Sequence, residues 1–354
     1  MNPQEAELEY PFADALPEPG RKHAITPDLF WMRVPLPFAL DHVNLWLLRD
    51  RFDGRDGWTV IDCGIASDTI RALWRQVIET ELEGLPIVRI LCTHTHPDHV
   101  GNAAWLQDQM ADDARPPLWM TLGEYAMGRV LQAALPGTDG PDTVAHYIAH
   151  GLTDPATIAA LGKRTGYFSN LVPAMPPSYR RIAHDESIDI GGETWRVITG
   201  FGHSPEHASL YAERANILIS GDMLLPRIST NVSVHAIEPE ANPVQQFVDS
   251  IRRFAPLPAD ALVLPSHGRP FRRMHRRIEQ LHEHHDARLA EVLEHCATPR
   301  TATDIVPVLF RRPLDHHQMF FAFGEALGHL HALWYRGALV REHGGDGVYR
   351  FVAA

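Results

Sequence analysis

Between Leu91 and Asn102 the chain reads Leu-Cys-Thr-His-Thr-His-Pro-Asp-His-Val-Gly-Asn, which places His94, His96, Asp98 and His99 within six residues. Imidazole nitrogens and carboxylate oxygens are borderline-to-hard donors that suit zinc, manganese or iron(II). His94 and His96 alternate along an extended segment, so both side chains can point the same way. Asp98 and His99 start a helix and point elsewhere, which fits a second metal position beside the first. A divalent ion of open coordination lowers the pKa of a bound water and supplies hydroxide near neutral pH, so hydrolysis is the chemistry to expect.

These residues need a scaffold. The apolar run 87–91 reads as a short buried strand. Residues 98–110 read as one helix with Pro97 near its first turn, where proline is tolerated. The cluster therefore sits on a strand-to-helix loop. Upstream, 30–40 is a strand followed by a proline-held loop, and 42–48 and 58–62 are strands joined by the charged turn 49–57. Residues 66–83 have helical spacing (Ile70, Leu73, Trp74, Val77, Ile78, Leu82) and stop at Gly84. After the cluster come a strand at 118–120 and a helix at 121–135 with Thr121 as its cap. Further on, 186–190, 194–199, 208–212, 216–220 and 261–264 read as strands and 243–254 as a helix. His203, Asp222 and His267 each lie just past a strand end, where an α/β scaffold gathers catalytic groups.

In this order, 93–99, Gly202-His203-Ser204-Pro205-Glu206-His207, Ser220-Gly221-Asp222 and Pro265-Ser266-His267-Gly268 resemble the motif series of the metallo-β-lactamase superfamily. Ile61-Asp62-Cys63-Gly64 is a weaker fifth match, and Glu206 stands where that family usually has glycine. The resemblance covers roughly residues 30–270. It implies an α/β fold, a four-layer αββα sandwich. It also implies two divalent metal ions, zinc first, with Mn2+ or Fe2+ as alternatives. His94, His96 and His203 would hold one ion, Asp98, His99 and His267 the other, and Asp222 would bridge. Asp98 would also have a catalytic part in steering the nucleophile's proton. Asp62 reads as a support behind the ligands, because ligating histidines usually donate their second N–H to a carboxylate or carbonyl. His207 supports the loop. His42, at the start of a strand, reads as a hydrogen-bonded structural histidine.

At 354 residues the chain is long enough for two domains of about 150 residues each. Hydrophobic content of 45% and charged content of 21% are ordinary for a globular protein. The net charge of −12 argues against a chain whose main business is gripping duplex nucleic acid. Cys63, Cys92 and Cys296 are odd in number and far apart, which is no disulfide framework and suits a reducing, cytoplasmic setting. The first seven residues show no signal peptide, and no apolar run approaches a membrane span.

The organisation expected is an irregular leader over 1–29, a catalytic domain over 30–270, a connecting helix over 271–297 and a winged-helix-like domain over 298–354. The family core needs little between 137 and 180, so that stretch reads as an insertion, with helices at 142–151 and 155–163 and then irregular chain at 167–179. An insertion beside a metal site acts as lid or substrate wall, with Tyr147, Tyr167, Phe168 and Met175 as its lining candidates. Arg269, Arg272, Arg273, Arg276 and Arg277 fall within nine residues, and Arg272 and Arg273 in particular could attract an anionic substrate near His267. The distal half of that helix reads as a solvated face with i,i+4 ion pairs.

A helix at 301–310, a helix at 317–335 and a terminal hairpin follow in the order of a winged helix. This is similar to the tail of one subgroup of the superfamily, some of whose members are endoribonucleases. His329 and His331 stand where a recognition helix would carry Arg or Lys, so packing or homodimer formation is the role expected. The reading is a metal-dependent hydrolase of a small ester, thioester or lactone, using a metal-bound hydroxide. The alternative is an endoribonuclease acting on single-stranded RNA. A DNA-tethered regulator lacks its basic helix, a flavin-coupled redox protein lacks room for its flavin domain, and an exported antibiotic hydrolase lacks its export signal.

Overall fold

The structure is a computed structural model that describes residues 4–111, 114–138 and 140–354. Residues 1–3 of the expected leader and 139 of the 137–180 segment lie outside the described residues. One sheet contains seven strands in chain order: β1 (His23–Ala24), β2 (Leu29–Pro35), β3 (His42–Phe52), β4 (Arg55–Ile61), β5 (Ile87–Leu91), β6 (Leu118–Met120) and β7 (Arg180–Arg181). It is antiparallel as far as β4 and parallel from β4 to β7. A second sheet holds β8 (Ser187–Ile190), β9 (Glu193–Gly200), β10 (His207–Ala212), β11 (Ile217–Gly221) and β12 (Leu262–Pro265), with β11 and β12 parallel.

Strand alternation divides the apolar residues among layers. In β3, Val43, Leu45 and Leu47 pack outward against Ile70, Trp74 and Val77 of α1 (Asp68–Thr80). Trp46 and Leu48 face the other way and meet Trp195, Val197, Leu210 and Ile219 of the second sheet. That sheet's outer face, with Ile198, Tyr211, Leu218 and Val263, packs on helices that follow. The result is helix, sheet, sheet, helix, as the resemblance implied. Each face is sealed by apolar burial at about 25 cal/mol per Å².

The expected helix at 98–110 is broken into α2 (Pro97–Val100) and α3 (Ala103–Gln107). A Cβ on Gly101 would stand 2.4 Å from the Pro97 carbonyl and 2.7 Å from the Ala66 nitrogen, so the 63–66 turn presses on the chain there. Asn102 then donates its amide to the carbonyls of Cys63, Gly64 and Ile65 at 3.2, 3.1 and 2.8 Å. The expected nine-residue turn at 49–57 is a two-residue one, Asp53-Gly54, with both φ values positive (50° and 78°), as a tight hairpin requires.

Past β6 come α4 (Leu122–Gln132), α5 (Gly140–Ala149), α6 (Pro155–Gly162) and α7 (Tyr167–Leu171), so part of the stretch expected to be irregular is helical. Thr121 does not cap α4 with its side chain, because its hydroxyl donates to the Glu206 carbonyl at 2.7 Å. The outer helix layer is α8 (Pro243–Ile251), α9 (Met274–His295), α10 (Ala302–Leu309) and α11 (His316–Tyr335), followed by the hairpin β13 (Leu339–His343) and β14 (Tyr349–Ala353). α10 and α11 both start with capping boxes, Thr301 with Asp304 and Asp315 with Gln318. Residues 23–24 of the expected irregular leader form an edge strand on β2. Among the described residues no helix is long and apolar enough to cross a membrane.

Candidate metal centre

β4 and β5 run parallel, so the turn after one lies beside the loop after the other. Asp62 follows β4 with a φ of 62° and accepts the Thr93 N–H at 2.8 Å, the Thr93 hydroxyl at 2.9 Å and His99 Nδ1 at 2.8 Å. The carboxylate thereby ties the His-rich loop to the neighbouring strand. β9 leads to His203, β11 to Asp222 and β12 to His267, which brings three distant parts of the chain to one edge of the sandwich.

Two sets of donor atoms result. His94, His96, His203 and Asp222 offer atoms all within 4.8 Å of one another, and so do Asp98, His99 and His267. Asp222 faces both sets. Its Oδ2 lies 3.3 Å from His203 Nε2 and 3.9 Å from His94 Nε2, and its Oδ1 lies 3.4 Å from His267 Nε2 and 3.7 Å from His99 Nε2. Asp98 Oδ2 is 3.5 Å from both His99 Nε2 and His267 Nε2.

Outer partners set the histidine tautomers. His203 Nδ1 donates to the Asn231 carbonyl at 2.9 Å and His267 Nδ1 to the His42 carbonyl at 2.7 Å. Thr93 spends its hydroxyl proton on Asp62, so it accepts from His94 Nδ1 at 3.0 Å. The inward nitrogens of His94 and His203 therefore carry lone pairs, and they crowd: the two Nε2 atoms are 3.2 Å apart, and His96 Nδ1 is 2.9 Å from His94 Nε2. His99 Nε2 and Asp222 Oδ1 are buried with no hydrogen-bond partner. Buried polar atoms are rarely left in that state. Facing lone pairs beside carboxylates fit divalent cations.

Charge follows the same pattern. Burial, with His99 and His96 nearby, holds His94 well below its ordinary pKa, and burial beside His203 lowers His96 to about 3. Both are thus neutral, with free lone pairs. On the other side burial would lower His99 and His267, but Asp98 and Asp222, with Asp62 adding at His99, outweigh it and raise both, so that half of the site calls for positive charge, which a bound cation would supply.

Behind these atoms stands a residue that sequence reasoning missed. Glu124 of α4 is fully buried and accepts the Thr95 N–H at 2.9 Å, the Ser204 hydroxyl at 2.6 Å and the Glu206 N–H at 2.7 Å. It clamps the His94–His96 loop to the His203 loop. An acidic residue in a first helical turn reads from sequence as a simple complement to the helix dipole, so nothing marked it. Glu206, the departure from the family glycine, adopts no positive φ and accepts the Gly123 N–H at 2.8 Å, so the substitution adds a tie to α4.

The remaining candidates fall on both sides. His207 accepts the Asp222 N–H at 3.1 Å, and His42 accepts the Gly268 N–H at 2.7 Å, so both brace loops. Tyr147 is not a lining residue. It is buried, stacks on Phe323 at 4.2 Å and donates to the Phe320 carbonyl, which fastens α5 to α11. Phe168 and Met175 pack into the outer core of the first sheet.

Arg273 turns to the 4–14 segment and the Arg272 side chain to Asp260. The Arg272 N–H bonds the Glu9 carbonyl and its guanidinium the Asp260 carbonyl, while Arg273 reaches the Glu7 carbonyl at 3.3 Å. Arg269 pairs with Asp14 and Arg276 with Glu7. Arg269, Arg273 and Arg276 are satisfied by the acidic leader, which only the tertiary contact reveals. Tyr167 is partly buried: burial raises its phenol pKa, Arg164 opposes that, and Asp98 adds a smaller push upward.

Comparison with known proteins points the same way. Residues 39–267 match the metallo-beta-lactamase superfamily, and residues 289–354 match the metallo-beta-lactamase-like C-terminal domain. The chain is similar to the crystal structure of a beta-lactamase domain protein from Burkholderia ambifaria, at 54% identity and a TM-score of 0.93, covering 100% of both chains. It is also similar to a metallo-beta-lactamase family protein from Thermus thermophilus, at 28% identity and a TM-score of 0.75, covering 94% of this chain and 100% of the other. A probable metallo-hydrolase of Bacillus subtilis, YqjP, is 26% identical over 332 residues, which is 92% of this chain and 98% of the relative.

Proposed function

The chain belongs to the metallo-beta-lactamase superfamily, and on that premise we propose that it is a dinuclear metal-dependent hydrolase acting on a small ester, thioester or lactone. The observation that carries this reading is Asp222, whose two oxygens face two separate groups of histidines. His94, His96 and His203 would hold one ion, Asp98, His99 and His267 the other, with zinc first and manganese or iron(II) accepted by the same donors. Two such ions, when bound, supply hydroxide near neutral pH and neutralise negative charge as it develops on the substrate.

The chain's own groups do the rest. Asp62, Thr93, Asn231 and His42 fix the ring orientations from outside, so no reorganisation is required when substrate arrives. Asp98 is the more open of the two inner carboxylates, with a side chain 18% accessible against 9% for Asp222. It is therefore the group that steers the nucleophile's proton. The 137–180 segment and α11 supply the substrate wall beside the centre through Tyr167 and its contacts.

A small substrate is favoured over RNA because the arginines that would grip a phosphate backbone are engaged elsewhere, Arg269, Arg273 and Arg276 by the leader and Arg272 by the Asp260 carbonyl. The helix–helix–hairpin order of the tail supports a winged-helix-like reading. On α11, His331 donates to the Ala241 carbonyl and His329 to the Glu325 carbonyl, so this helix packs on its own chain and any homodimer contact would use other faces. Three buried free cysteines support a reducing, cytoplasmic setting.

The test is a hydrolysis panel on metal-analysed protein: acyl-CoA thioesters, aryl esters and lactones against single-stranded RNA, with Asp222→Ala as the blank. Turnover of a small acyl substrate that vanishes in the blank is expected. RNA cleavage with the small substrates untouched would overturn the reading.

A further inference from the structure

We propose that Arg164, held between Tyr167 and Phe320, binds an anionic oxygen group of the substrate, a carboxylate or a phosphate, beside the metal centre. This deepens the reading given above and rests on it. Arg164 follows α6 and is half-buried. Its guanidinium carbon lies 3.9 Å from the Tyr167 ring centroid and 4.4 Å from that of Phe320, and Nη1 is 3.1 Å from His317 Nδ1. Among the described residues it has no carboxylate at ion-pair distance. The other arginines withdrawn from solvent are provided for: Arg89 pairs with Asp50, and Arg277 donates to the Leu225 and Ile228 carbonyls. A partly desolvated cation with no counter-charge is costly to hold, and a guanidinium carries five donors in a planar fork suited to an oxyanion.

Its surroundings tie it to the centre. His317 stacks on Phe38 at 5.4 Å and 9°, and Phe38 belongs to the loop that runs into His42, whose carbonyl holds His267. Phe320 stacks on His235 at 5.9 Å, on the loop that leaves Asp222 and carries Asn231, whose carbonyl holds His203. The Leu171 carbonyl at the end of α7 accepts the Ala66 N–H, and Ala66 abuts Gly101, two residues beyond His99. Asp98 acts electrostatically on Tyr167 itself. The cradle is thus framed by the loops that steady the ligand histidines, and the fork-and-aromatic pairing gives the catalytic hydroxide a substrate held by its anionic end.

Binding can be read without turnover. Ligand-observed 19F NMR on the metal-loaded full chain would compare 4-(trifluoromethyl)benzoate with the neutral 4-(trifluoromethyl)benzamide, using wild type, Arg164→Met and Arg164→Lys. Wild type is expected to prefer the benzoate. Arg164→Met should weaken the benzoate by about tenfold and leave the benzamide unchanged, with Arg164→Lys in between, because an ammonium keeps the charge and loses the fork. If circular dichroism shows that Arg164→Met does not fold, Arg164→Lys decides. Equal binding of the two probes by wild type, or a benzoate affinity unchanged in the variants, would overturn the proposal.

Displacement of the benzoate by inorganic phosphate assigns the site to phosphate as well, and resistance to it restricts the site to carboxylate. Since no probe is hydrolysed, an inactive panel with Arg164-dependent binding would remove the hydrolase reading alone. An active panel with equal KM for carboxylated and neutral thioesters would remove this proposal alone.

Discussion

Glu124 accepts the backbone N–H of Thr95 at 2.9 Å, so a carboxylate on α4 fixes the one residue that separates His94 from His96. The same side chain takes the Ser204 hydroxyl and the Glu206 N–H, on either side of the His203 loop. Glu124→Ala would strip three buried donors of their partner, at a cost of at least about 3 kcal/mol. A fall in Tm of roughly 5–10 °C is expected in differential scanning calorimetry, together with weaker retention of metal on dialysis. A Tm within about 1 °C of wild type would sink the clamp.

The shared position of Asp222 sets a stoichiometry. Wild type should carry about two metal ions per chain by plasma mass spectrometry, and Asp222→Ala at most about one. Chelation should lower the Tm of wild type more than that of the variant, since ligands that bind only the folded state stabilise it. Two ions retained in Asp222→Ala would show that this carboxylate is not the bridge.

The Arg273 side chain binds the leader and that of Arg272 the Asp260 carbonyl, which makes a negative result informative. The double substitution to Ala should leave kcat/KM on any hydrolysed substrate within about twofold. Its effect should appear as faster proteolysis of residues near Glu7, whose carbonyl the Arg273 guanidinium holds. A drop in kcat/KM of tenfold or more with intact folding would return these residues to the substrate.

Glu325 is half-buried on α11 and accepts an N–H from Asn231, and burial raises its carboxyl to about 7. Its unfolded value is about 4.3, so the protonated form is the one that folding favours. Its contribution is complete below about pH 4 and fades as the pH rises through the folded value near 7. Glu325→Gln keeps the shape and does not titrate. Wild type should therefore lose stability relative to the variant between about pH 5 and pH 8, by no more than about 2–3 kcal/mol because the side chain is partly wetted. Parallel Tm–pH curves at equal metal content would contradict this.

The candidate metal donors were legible in the sequence because metal chemistry restricts residue type and short-range spacing at once. His94, His96, Asp98 and His99 announce themselves within one loop, and His203, Asp222 and His267 each follow an apolar strand whose length and composition are local properties. The α/β class was legible because strand-like apolar runs and the helical spacing of α1 are written in consecutive residues, while the four-layer sandwich followed only from the resemblance in the motifs. The helix break at Gly101–Asn102 was not legible, because its cause is the 63–66 turn pressing from a distant strand.

Nor were the partners of long polar side chains. Glu124, Arg164, Arg273 and Glu325 are ordinary residues in ordinary sequence contexts. What each does depends on which backbone or ring arrives opposite it from tens to hundreds of residues away. Donor type and local period are one-dimensional quantities that a sequence carries. The counter-group of a buried charge is a property of three-dimensional approach, and only the tertiary structure decided it.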